Sequence, residues 1–402
     1  MRFNSAVAAV VESPITEAYS WLAERRGDAA VAEVIDVSQA VPGHPPPESL
    51  RRHVAELALD PAMHRYTHQL GIDELRAAEA RDLGRSYGAS VAPEQVAITA
   101  GCNQAFCLVA DALAGPGDEV ILPLPYYFNH DMWLRGRGVV PVYLPAGADL
   151  VPDPEEAARR ITRRTRAIVL ITPNNPTGAV YPPALLERFF DLAETAGLAL
   201  IVDETYRDFR ATAGPPHELF SRPRWEQTLV HLGSYSKVFC LAGYRVGSIA
   251  ASESLLFEVA KLMDCVAICP PRLGQEAALF GLERLDGWRE ENRREMSGRV
   301  EVFRRRLDEE SQARFEVAAA GAYFAYLRHP FSGEGSRTVA RRLAREQGLL
   351  TLAGEMFGPG QERFLRVALA NLAADRIPAL VGRLAASTAD AGARRSVAPG
   401  SR

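Results

Sequence analysis

A lysine in a chain dominated by arginine is the first residue whose chemistry stands out. Of the 402 residues, 46 are lysine or arginine, and Lys237 and Lys261 are the only lysines. Arginine keeps its proton, whereas a lysine amine can lose its proton and attack a carbonyl carbon. Lys237, in the stretch SYSK, is therefore a candidate nucleophile. We interpret Lys261, in the stretch LFEVAKLMD, as a surface residue.

The residues around Lys237 could hold a phosphate and a ring nitrogen. Ser234 precedes the lysine and Arg245 follows it, so a hydroxyl and a guanidinium group are available to bind a phosphate. Asp203 ends an earlier apolar run, LALIVDE, and could pair with a protonated ring nitrogen. An amine that forms an imine, a phosphate clamp and an acid beside a ring nitrogen are the three parts that pyridoxal phosphate requires. The sequence therefore predicts pyridoxal 5'-phosphate as a cofactor.

The strands of an α/β sheet are expected to position these residues. Short apolar, β-branched runs alternate with helical patterns up to about residue 250, which is typical of parallel strands covered on both faces. Ligands of such sheets bind outside the carboxyl ends of the strands. Four polar segments follow predicted strands: AGCNQ (100–104), TPNNPTG (172–178), DETYRDF (203–209) and SYSK (234–237). After about residue 253 helical patterns dominate, with two short strands, GAYFAYLRH and FLRVALA, which indicates a second α+β lobe.

Composition excludes several classes of partner. The net charge of −4 gives no basic field for nucleic acid or an anionic membrane surface. The apolar run near the N-terminus is interrupted by glutamates, so we expect neither a membrane span nor a cleaved leader. Five cysteines, an odd number, favour reduced thiols and a cytoplasmic location. Cys265 and Cys269 approach the spacing of metal ligands, but no paired histidines follow them, so we predict no metal site.

Taken together, the motifs resemble the fold-type I pyridoxal-phosphate enzymes of the class I/II aminotransferase family. S-x-S-K followed by G-Y-R-V-G, P-N-N-P-T-G and D-E-x-Y occur in the family order, and the resemblance extends from about residue 34 to 385. It implies an α/β fold: a large domain with a mainly parallel seven-stranded sheet between helices, and a smaller α+β domain. We expect four segments: 1–45 in the small domain and dimer contacts, 46–285 as the large cofactor-binding domain, 286–386 as the small domain, and 387–402 as a disordered tail.

The resemblance implies a role for each motif residue near the cofactor ring. Lys237 would bind the aldehyde of the cofactor covalently and later carry a proton between substrate and cofactor. Asp203 would keep the ring nitrogen protonated. Tyr206 and Asn175 would hydrogen-bond the phenolic oxygen, and Tyr127 would stack on the ring.

The resemblance also implies residues for the phosphate and the substrate carboxylate. The phosphate-binding set consists of Gly101, the amides of Cys102 and Asn103, Ser234, Arg245, and Tyr66 from a neighbouring subunit. The role of Tyr66 implies a homodimer with shared active sites. Arg366, in FLRVALAN, would bind the substrate carboxylate with both arms of its guanidinium group, assisted by Asn175.

The chain departs from the family pattern at two places near the substrate. VSQAVPGHPPP resembles the segment GQGFPDFPPP of the kynurenine and glutamine transaminases, but Ala40 replaces a glycine and Gly43 and His44 replace Asp-Phe. We therefore expect an altered wall on the substrate side. In dicarboxylate aminotransferases an arginine lies a few residues before a Pro-Pro or Asn-Pro-Pro landmark and reaches the substrate of the partner subunit, and aligning CPPR on this landmark brings Asp264 near that position. An acidic substrate side chain is thereby disfavoured. Asp264 could receive a cationic substrate end or form a structural ion pair.

The sequence predicts an enzyme that moves an amino group between an L-amino acid and a 2-oxo acid. The amino acid is expected to be neutral, aromatic or cationic rather than dicarboxylic. Two alternatives remain open. The same cofactor supports elimination, cyclisation or γ-substitution on S-adenosylmethionine or another amino acid. A non-catalytic ligand-sensing domain, of the kind fused to a DNA-binding helix-turn-helix, is the other, although the N-terminal extension is too short for such a fusion.

Overall fold

The computed structural model describes residues 1–26, 33–212 and 214–396, with side chains described up to residue 389. Spatial contacts divide the chain into two compact units. The large unit consists of residues 1–10, 44–174 and 180–293, and the small unit of residues 11–43, 175–179 and 294–402. Compared with the predicted division, the loop 175–179 belongs to the small unit, and residues 1–10 belong to the large one.

The helices and strands are short and alternate along most of the chain. The α-helices are α1 Ser5–Ala8, α2 Pro14–Leu22, α3 Glu48–Leu57, α4 Asp73–Tyr87, α5 Cys102–Leu113, α6 Phe128–Gly136, α7 Pro154–Ala158, α8 Pro183–Ala196, α9 Tyr235–Val238, α10 Glu253–Ala267, α11 Arg272–Arg284, α12 Asp286–Glu309, α13 Ser336–Gln347 and α14 Ile377–Ser396. The strands are β1 Ile35–Asp36, β2 Val96–Thr99, β3 Glu119–Pro123, β4 Val140–Leu144, β5 Thr165–Ile171, β6 Ala199–Asp203, β7 Leu229–Ser234, β8 Gly247–Ala250, β9 Glu316–Gly321, β10 Phe324–Arg328, β11 Leu349–Leu350, β12 Leu352–Ala353 and β13 Phe364–Ala368. Across the described ranges, no helix is both long enough and apolar enough to cross a membrane.

The large unit is built on one seven-stranded sheet. Its strand order is β2-β8-β7-β6-β5-β3-β4. The neighbours from β7 to β4 pair in parallel, whereas β8 runs antiparallel to both β2 and β7. The predicted α/β fold with a mainly parallel sheet is therefore confirmed. The carboxyl ends of β5, β6 and β7 lie side by side, as the motif positions require.

Helices cover both faces of this sheet, and the two faces have separate cores. Along β6, Leu200 and Val202 pack into the core formed with α3, α4, α8 and α11. Ile201 packs into the opposite core, formed with α5, α6 and α10. Because successive side chains of a strand point to opposite faces, Asp203 follows Ile201 on the side of α5 and α6, and Glu204 follows Val202 on the other side. The side chains of Asp203 and Glu204, the two acids of the D-E-x-Y motif, therefore lie on opposite faces of the sheet.

The small unit contains a four-stranded antiparallel sheet in the order β12-β13-β10-β9 and a parallel pair of β1 with β11. The sequence predicted β10 and β13 but missed the other strands. β9 is EVAAAG, whose alanines and glycine have low strand propensity, and β1, β11 and β12 are two residues long each. Long-range pairing, rather than local preference, creates these strands.

The C-terminal segment also differs from expectation. α14 continues to Ser396, so residues 387–396 are helical rather than disordered. The segment lacks a clear apolar period, but its alanines have the highest helix propensity of any residue. Residues 397–402 lie outside the described residues.

The central position of β6 leads to a stability prediction. Leu200 is fully buried, and Leu200→Ala is expected to lower the free energy of unfolding by about 2–5 kcal/mol, because it removes buried methyl groups and leaves a cavity. Val140 on the edge strand β4 is 44% exposed, and Val140→Ala should change the free energy by no more than about 0.5 kcal/mol. Urea unfolding followed by circular dichroism measures both. Equal losses for the two variants would contradict the assigned core.

Candidate functional site

The ends of β6 and β7 place the predicted catalytic residues at one edge of the large sheet. Asp203, the last residue of β6, pairs in register with Leu232 of β7. β7 ends two residues later at Ser234, which caps the short helix α9 by accepting a hydrogen bond from the Ser236 N–H at 3.3 Å. Lys237 lies in α9 and is half-buried. Asp203, Ser234 and Lys237 are therefore brought together by the register of two parallel strands.

A tight turn at Gly101 and the side chain of Arg245 form a candidate phosphate cradle. Gly101 has φ 87°, and a Cβ there would lie 2.3 Å from Nη2 of Arg245. A Cβ at Gly247, which pairs with Ser234, would lie 2.7 Å from the backbone nitrogen of Cys102. Only glycine fits at either place. The first N–H groups of α5, those of Cys102 and its neighbour, are the groups that bind anions at helix N-termini.

Arg245 is fixed at the rim of this cradle. It is exposed, adopts φ 53°, and donates from Nη1 to the Ala242 carbonyl at 2.9 Å and from Nη2 to the Ala100 carbonyl at 3.3 Å. The structure thus brings Gly101, Cys102, Ser234 and Arg245 together, as predicted for a phosphate site. Asn103 follows as the second residue of α5, where its N–H also lacks a helical acceptor.

Asp203 is a buried carboxylate with a proton affinity above normal. It is 5% exposed, and its Oδ1 accepts a hydrogen bond from the Thr205 N–H at 2.9 Å. Burial raises the pKa of the Asp203 carboxyl, and hydrogen bonds from Thr205 and the Cys102 thiol offset part of this rise. A cationic partner such as a protonated ring nitrogen would remove the cost of this buried charge.

His130 stands behind Asp203, and the sequence analysis missed it. Its Nε2 lies 3.7 Å from Oδ2 of Asp203, and its ring stacks on Phe106 at 3.7 Å between centroids. Burial lowers the pKa of the His130 imidazole to about 3, so the ring is neutral at physiological pH. The only sequence signal was its place one helical turn after Tyr127. Tyr127 caps α6, and its ring meets His130 edge-on at 5.2 Å.

On the other face of β6 a second buried carboxylate, that of Glu204, is held by polar side chains through one of its oxygens, Oε2. Glu204 is 1% exposed, and its Oε2 accepts from the Tyr87 hydroxyl and lies 3.1 Å from Nε2 of His217 and 3.2 Å from Nε2 of His231. Burial by itself would raise the pKa of Glu204, but the two imidazoles have the larger, opposite effect. The pKa of Glu204 is therefore well below its usual range. Because Nδ1 of His217 accepts the Leu219 N–H at 3.2 Å, Nε2 is the ring nitrogen that can donate to Glu204. This cluster anchors the backbone that carries Asp203.

Arg366 is the corresponding fixed cation of the small unit. It is 2% exposed, at the middle of β13. Its Nη1 donates to Oδ1 of Asn175 at 2.9 Å, and its Nη2 donates to the Ser38 carbonyl. The guanidinium carbon lies 5.1 Å from the ring centroids of both Phe324 and Phe357. Arg366 and Asn175, predicted as partners at the substrate carboxylate, are brought together.

The predicted residues of the altered wall fall in different units. Ala40 is buried in the small unit, beside Val41, whose N–H donates to Oδ1 of Asn371 at 3.0 Å. His44 belongs to the large unit, where its Nε2 lies 3.0 Å from Oδ1 of Asn292 and its ring meets Trp288 edge-on. Asn292 also donates to the Val238 carbonyl at 3.2 Å, next to Lys237. His44 is thus linked to the segment that carries the lysine.

Three further predicted residues have distinct surroundings. Tyr206 is 4% exposed, three residues after Asp203. Tyr66 is 77% exposed, as expected of a side chain that reaches another subunit. Asp264 is exposed and lies near the C-terminal end of α10.

These residues fit pyridoxal 5'-phosphate. The cradle at Gly101 matches a phosphate, because it combines unpaired helix N–H groups with a guanidinium group. The raised pKa of Asp203 matches a protonated ring nitrogen. Lys237 lies in the short helix that Ser234 caps and could supply the amine.

Comparison with known proteins decides the family. The model of the family described as aminotransferase class I and II matches residues 32–384. The chain belongs to this family.

Relatives among the class I and II aminotransferases match over most of their length. An aspartate/prephenate aminotransferase of Thermus thermophilus is 33% identical over 278 residues, 69% of this chain and 70% of the relative. An aromatic aminotransferase of Arabidopsis thaliana is 29% identical over 364 residues, 89% of this chain and 90% of the relative. A solved single mutant of a Thermus thermophilus aspartate aminotransferase has a TM-score of 0.87 at 26% identity, over 96% of this chain and 100% of that one. This class I and II aminotransferase is a pyridoxal-phosphate-dependent transferase of fold type I.

The raised pKa of Asp203 leads to a pH prediction for the cofactor-free aminotransferase. The pKa of the Asp203 carboxyl is higher in the folded protein than in the unfolded chain, where it is about 4. The stability that Asp203 contributes is therefore fully present below the unfolded pKa and is lost as the pH rises through the folded pKa. Asp203→Asn should therefore raise the thermal midpoint of the cofactor-free protein at neutral pH, and the gain should shrink as the pH falls towards the unfolded-state pKa, about 4. Asp264→Asn, at an exposed position, is the matched control. A gain independent of pH would contradict a charge effect.

Proposed function

We propose that this aminotransferase accepts neutral, aromatic or cationic L-amino acids and disfavours dicarboxylic ones. The alignment of Asp264 supports this substrate class, because it puts a carboxylate near the position where dicarboxylate enzymes have an arginine. Like charges repel, so Asp264 opposes a second substrate carboxylate. Relatives named for aspartate and for aromatic amino acids both match the chain, and the charge at this position favours the aromatic class.

We assign Lys237 as the residue that binds the cofactor and moves the substrate proton. The cofactor supplies an electron sink for the carbon that loses its proton. Lys237 takes that proton and returns it. Asp203 would keep the ring nitrogen protonated, since a buried carboxylate with a raised pKa is stabilised by a cation beside it. Tyr206, buried three residues after Asp203, would donate a hydrogen bond to the phenolic oxygen.

Arg366 is assigned to the substrate carboxylate. Asn175 and the Ser38 carbonyl accept hydrogen bonds from the guanidinium group, and the rings of Phe324 and Phe357 each lie 5.1 Å from its carbon. A guanidinium group fixed in this way presents a preorganised fork to a carboxylate, at little further cost in side-chain entropy.

A homodimer with shared active sites is part of the proposal. Tyr66, Phe257 and Ile268 are large apolar side chains that are 77%, 64% and 41% exposed. The Thr67 N–H donates to Sγ of Cys269 at 3.4 Å, so the segment of Tyr66 packs beside the segment that follows α10. Exposed apolar patches of this kind mark protein interfaces. The expected cytoplasmic location stays a prediction.

The two lysines of the chain test the proposed chemistry. Lys237→Arg keeps the charge but removes the nucleophilic amine, so amino transfer should fall at least about 1,000-fold and borohydride should no longer fix the cofactor to the chain. Lys261→Arg is the matched control, because Lys261 lies on the surface, 2.8 Å from Glu258. Oxo-acid formation and mass spectrometry of the reduced protein give the two readouts.

The same assay tests the substrate class. Transfer from phenylalanine should exceed transfer from aspartate in kcat/KM, and Asp264→Arg should narrow the difference. If aspartate were the best amino-group donor of the wild-type enzyme, the proposed substrate class would be refuted.

For the lysine test, full amino-transfer activity of Lys237→Arg would refute the proposed role of Lys237.

Arg366→Lys tests the carboxylate assignment. Lysine keeps the charge but cannot make two parallel hydrogen bonds, so kcat/KM should fall by about 100-fold, mainly through KM. Arg328→Lys is the control, because Arg328 lies half-exposed on the neighbouring strand β10. An unchanged KM for several amino acids in the Arg366 variant would exclude this role.

A further inference from the structure

Helix α4 places three polar side chains beside the segments that carry the proposed cofactor residues. Glu79, Asp82 and Tyr87 are 1%, 3% and 2% exposed, so all three are buried between α4 and the rest of the large unit. Glu79 and Asp82 are three residues apart, a spacing that puts both carboxylates on one face of the helix. Burying a charge is costly unless the charge is paired and hydrogen-bonded. The partners of these acids therefore show what α4 holds in place.

Glu79 is bonded to the short helix that carries Lys237. Its Oε2 accepts a hydrogen bond from the Tyr235 hydroxyl at 2.6 Å, and its Oε1 accepts one from the Ser248 hydroxyl at 3.0 Å. Tyr235 is the first residue of α9, two residues before Lys237, and Ser248 lies on β8. Burial and the negative charge of Glu79 raise the pKa of the Tyr235 hydroxyl well above its usual range, so the hydroxyl keeps its proton and donates. Both carboxylate oxygens thus tie α4 to the segment 235–248, in which the lysine lies.

Asp82 is bonded to the segment that carries Tyr206. Its Oδ2 accepts a hydrogen bond from Nη2 of Arg207, the residue after Tyr206, and its Oδ1 accepts one from Nη1 of Arg289 at 2.6 Å. Burial by itself would raise the pKa of the Asp82 carboxyl, but the two arginines have the larger, opposite effect, so this pKa lies well below its usual range. The same Nη2 of Arg207 lies 4.0 Å from Oε1 of Glu79. The two acids therefore share one guanidinium group.

Tyr87 makes the third contact of α4. Its hydroxyl donates to Oε2 of Glu204, the residue after Asp203. Helix α4 is therefore bonded within two residues of Asp203, Tyr206 and Lys237, the proposed cofactor residues at the strand ends. Apolar side chains could also bury the helix against the sheet, but apolar contact has no direction, whereas hydrogen bonds fix how each segment lies. The polar face of α4 thus orients the site segments as well as packing on them.

We propose that Glu79 and Asp82 are positioning residues for amino transfer. Glu79 fixes the Lys237 amine through α9, and Asp82 fixes Tyr206 through the guanidinium group next to it. The inference rests on the roles proposed above for Lys237 and Tyr206. A reacting group that is held in place needs less reorganisation, so loosening it lowers kcat. The substrate carboxylate is assigned to Arg366 of the small unit, so KM should change little.

Two variants break the contact between α4 and α9. Glu79→Gln keeps the size of the side chain but removes its charge, and Tyr235→Phe removes only the hydroxyl. Each should lower the kcat of amino transfer at least about tenfold and change the KM for the amino donor less than about twofold. A rise in KM alone, or an unchanged kcat in both variants, overturns the role of Glu79.

Glu119→Gln is the matched control for the buried charge. Glu119 is 4% exposed, and it accepts hydrogen bonds from the Thr162 hydroxyl and from Nη2 of Arg164, both at 2.6 Å. It begins β3, so it lies at the amino end of the parallel strands, away from the site at their carboxyl ends. The control should lose stability as Glu79→Gln does but keep its kcat. An equal fall in kcat in the control would make the effect one of stability and contradict the proposal.

Hydrogen exchange in the cofactor-free protein tests the anchoring of α9 without catalysis. Amide exchange of residues 235–239, measured by mass spectrometry, should be at least about tenfold faster in both variants than in the wild type, because a lost hydrogen bond to a charged group lets the helix open locally. Exchange of β3 is the internal reference. Unchanged exchange at 235–239 overturns the anchor. This result does not depend on the role of Lys237, which borohydride fixation in the wild type tests, so the two failures are distinguishable.

The absorbance of the bound cofactor tests the second anchor. Asp82→Asn removes the charge that holds Arg207, so Tyr206 should bond the phenolic oxygen less well. The pH at which the visible absorbance of the loaded protein changes should rise by at least about 0.5 units, because a hydrogen bond to the charged form of a group lowers its pKa. Arg207→Lys keeps the buried charge but loses the rigid fork, and it should shift this pH in the same direction.

Tyr206→Phe gives the full size of that shift, and Glu119→Gln should give none. An unchanged pH in both Asp82→Asn and Arg207→Lys, beside a shift in Tyr206→Phe, overturns the role of Asp82. An unchanged pH in Tyr206→Phe refutes the proposed role of Tyr206 and, with it, the second anchor.

Discussion

Two adjacent carboxylates, those of Asp203 and Glu204, are buried on opposite faces at the end of β6. The organisation of the site depends on which groups balance the negative charge of each one. Glu204 receives its compensation from the protein, through Tyr87, His217 and His231. Asp203 receives only part of its compensation from Thr205 and Cys102, and burial raises its pKa. The protein therefore holds one negative charge ready for an external cation. Burial makes this charge strong, because water does not screen it.

The parallel sheet is what makes this arrangement possible. Since side chains alternate along β6, two neighbouring acids reach two separate cores, and each core supplies different partners. Strand register then aligns Ser234 and Lys237 beside Asp203. Gly247 of β8 pairs with Ser234 of β7 and lies next to the backbone of Cys102. Because Gly247 has no side chain, the phosphate cradle has room at this point.

Much of this could be predicted from the sequence because the site residues occur in short, contiguous motifs. Lys237, Ser234 and Arg245 lie within one stretch, and Asp203 ends an apolar run typical of a buried strand. His130 could not be predicted, because its importance comes from packing on Phe106 and from its distance to Asp203. The two phenylalanines around Arg366 were missed for the same reason. Strands such as β9 form through pairing partners distant in sequence, and local composition opposed them.

The scarcity of lysine has a practical consequence outside catalysis. If Lys237 holds the cofactor as proposed, Lys261 carries the one other lysine amine of the chain. It lies on the surface of α10, 2.8 Å from Glu258 and 4.5 Å above the ring of Phe257. Reagents that react with lysine side chains would therefore modify each chain of the loaded enzyme at one position, on α10. Their reaction would report on the surface around Phe257, an exposed residue of the proposed homodimer contact.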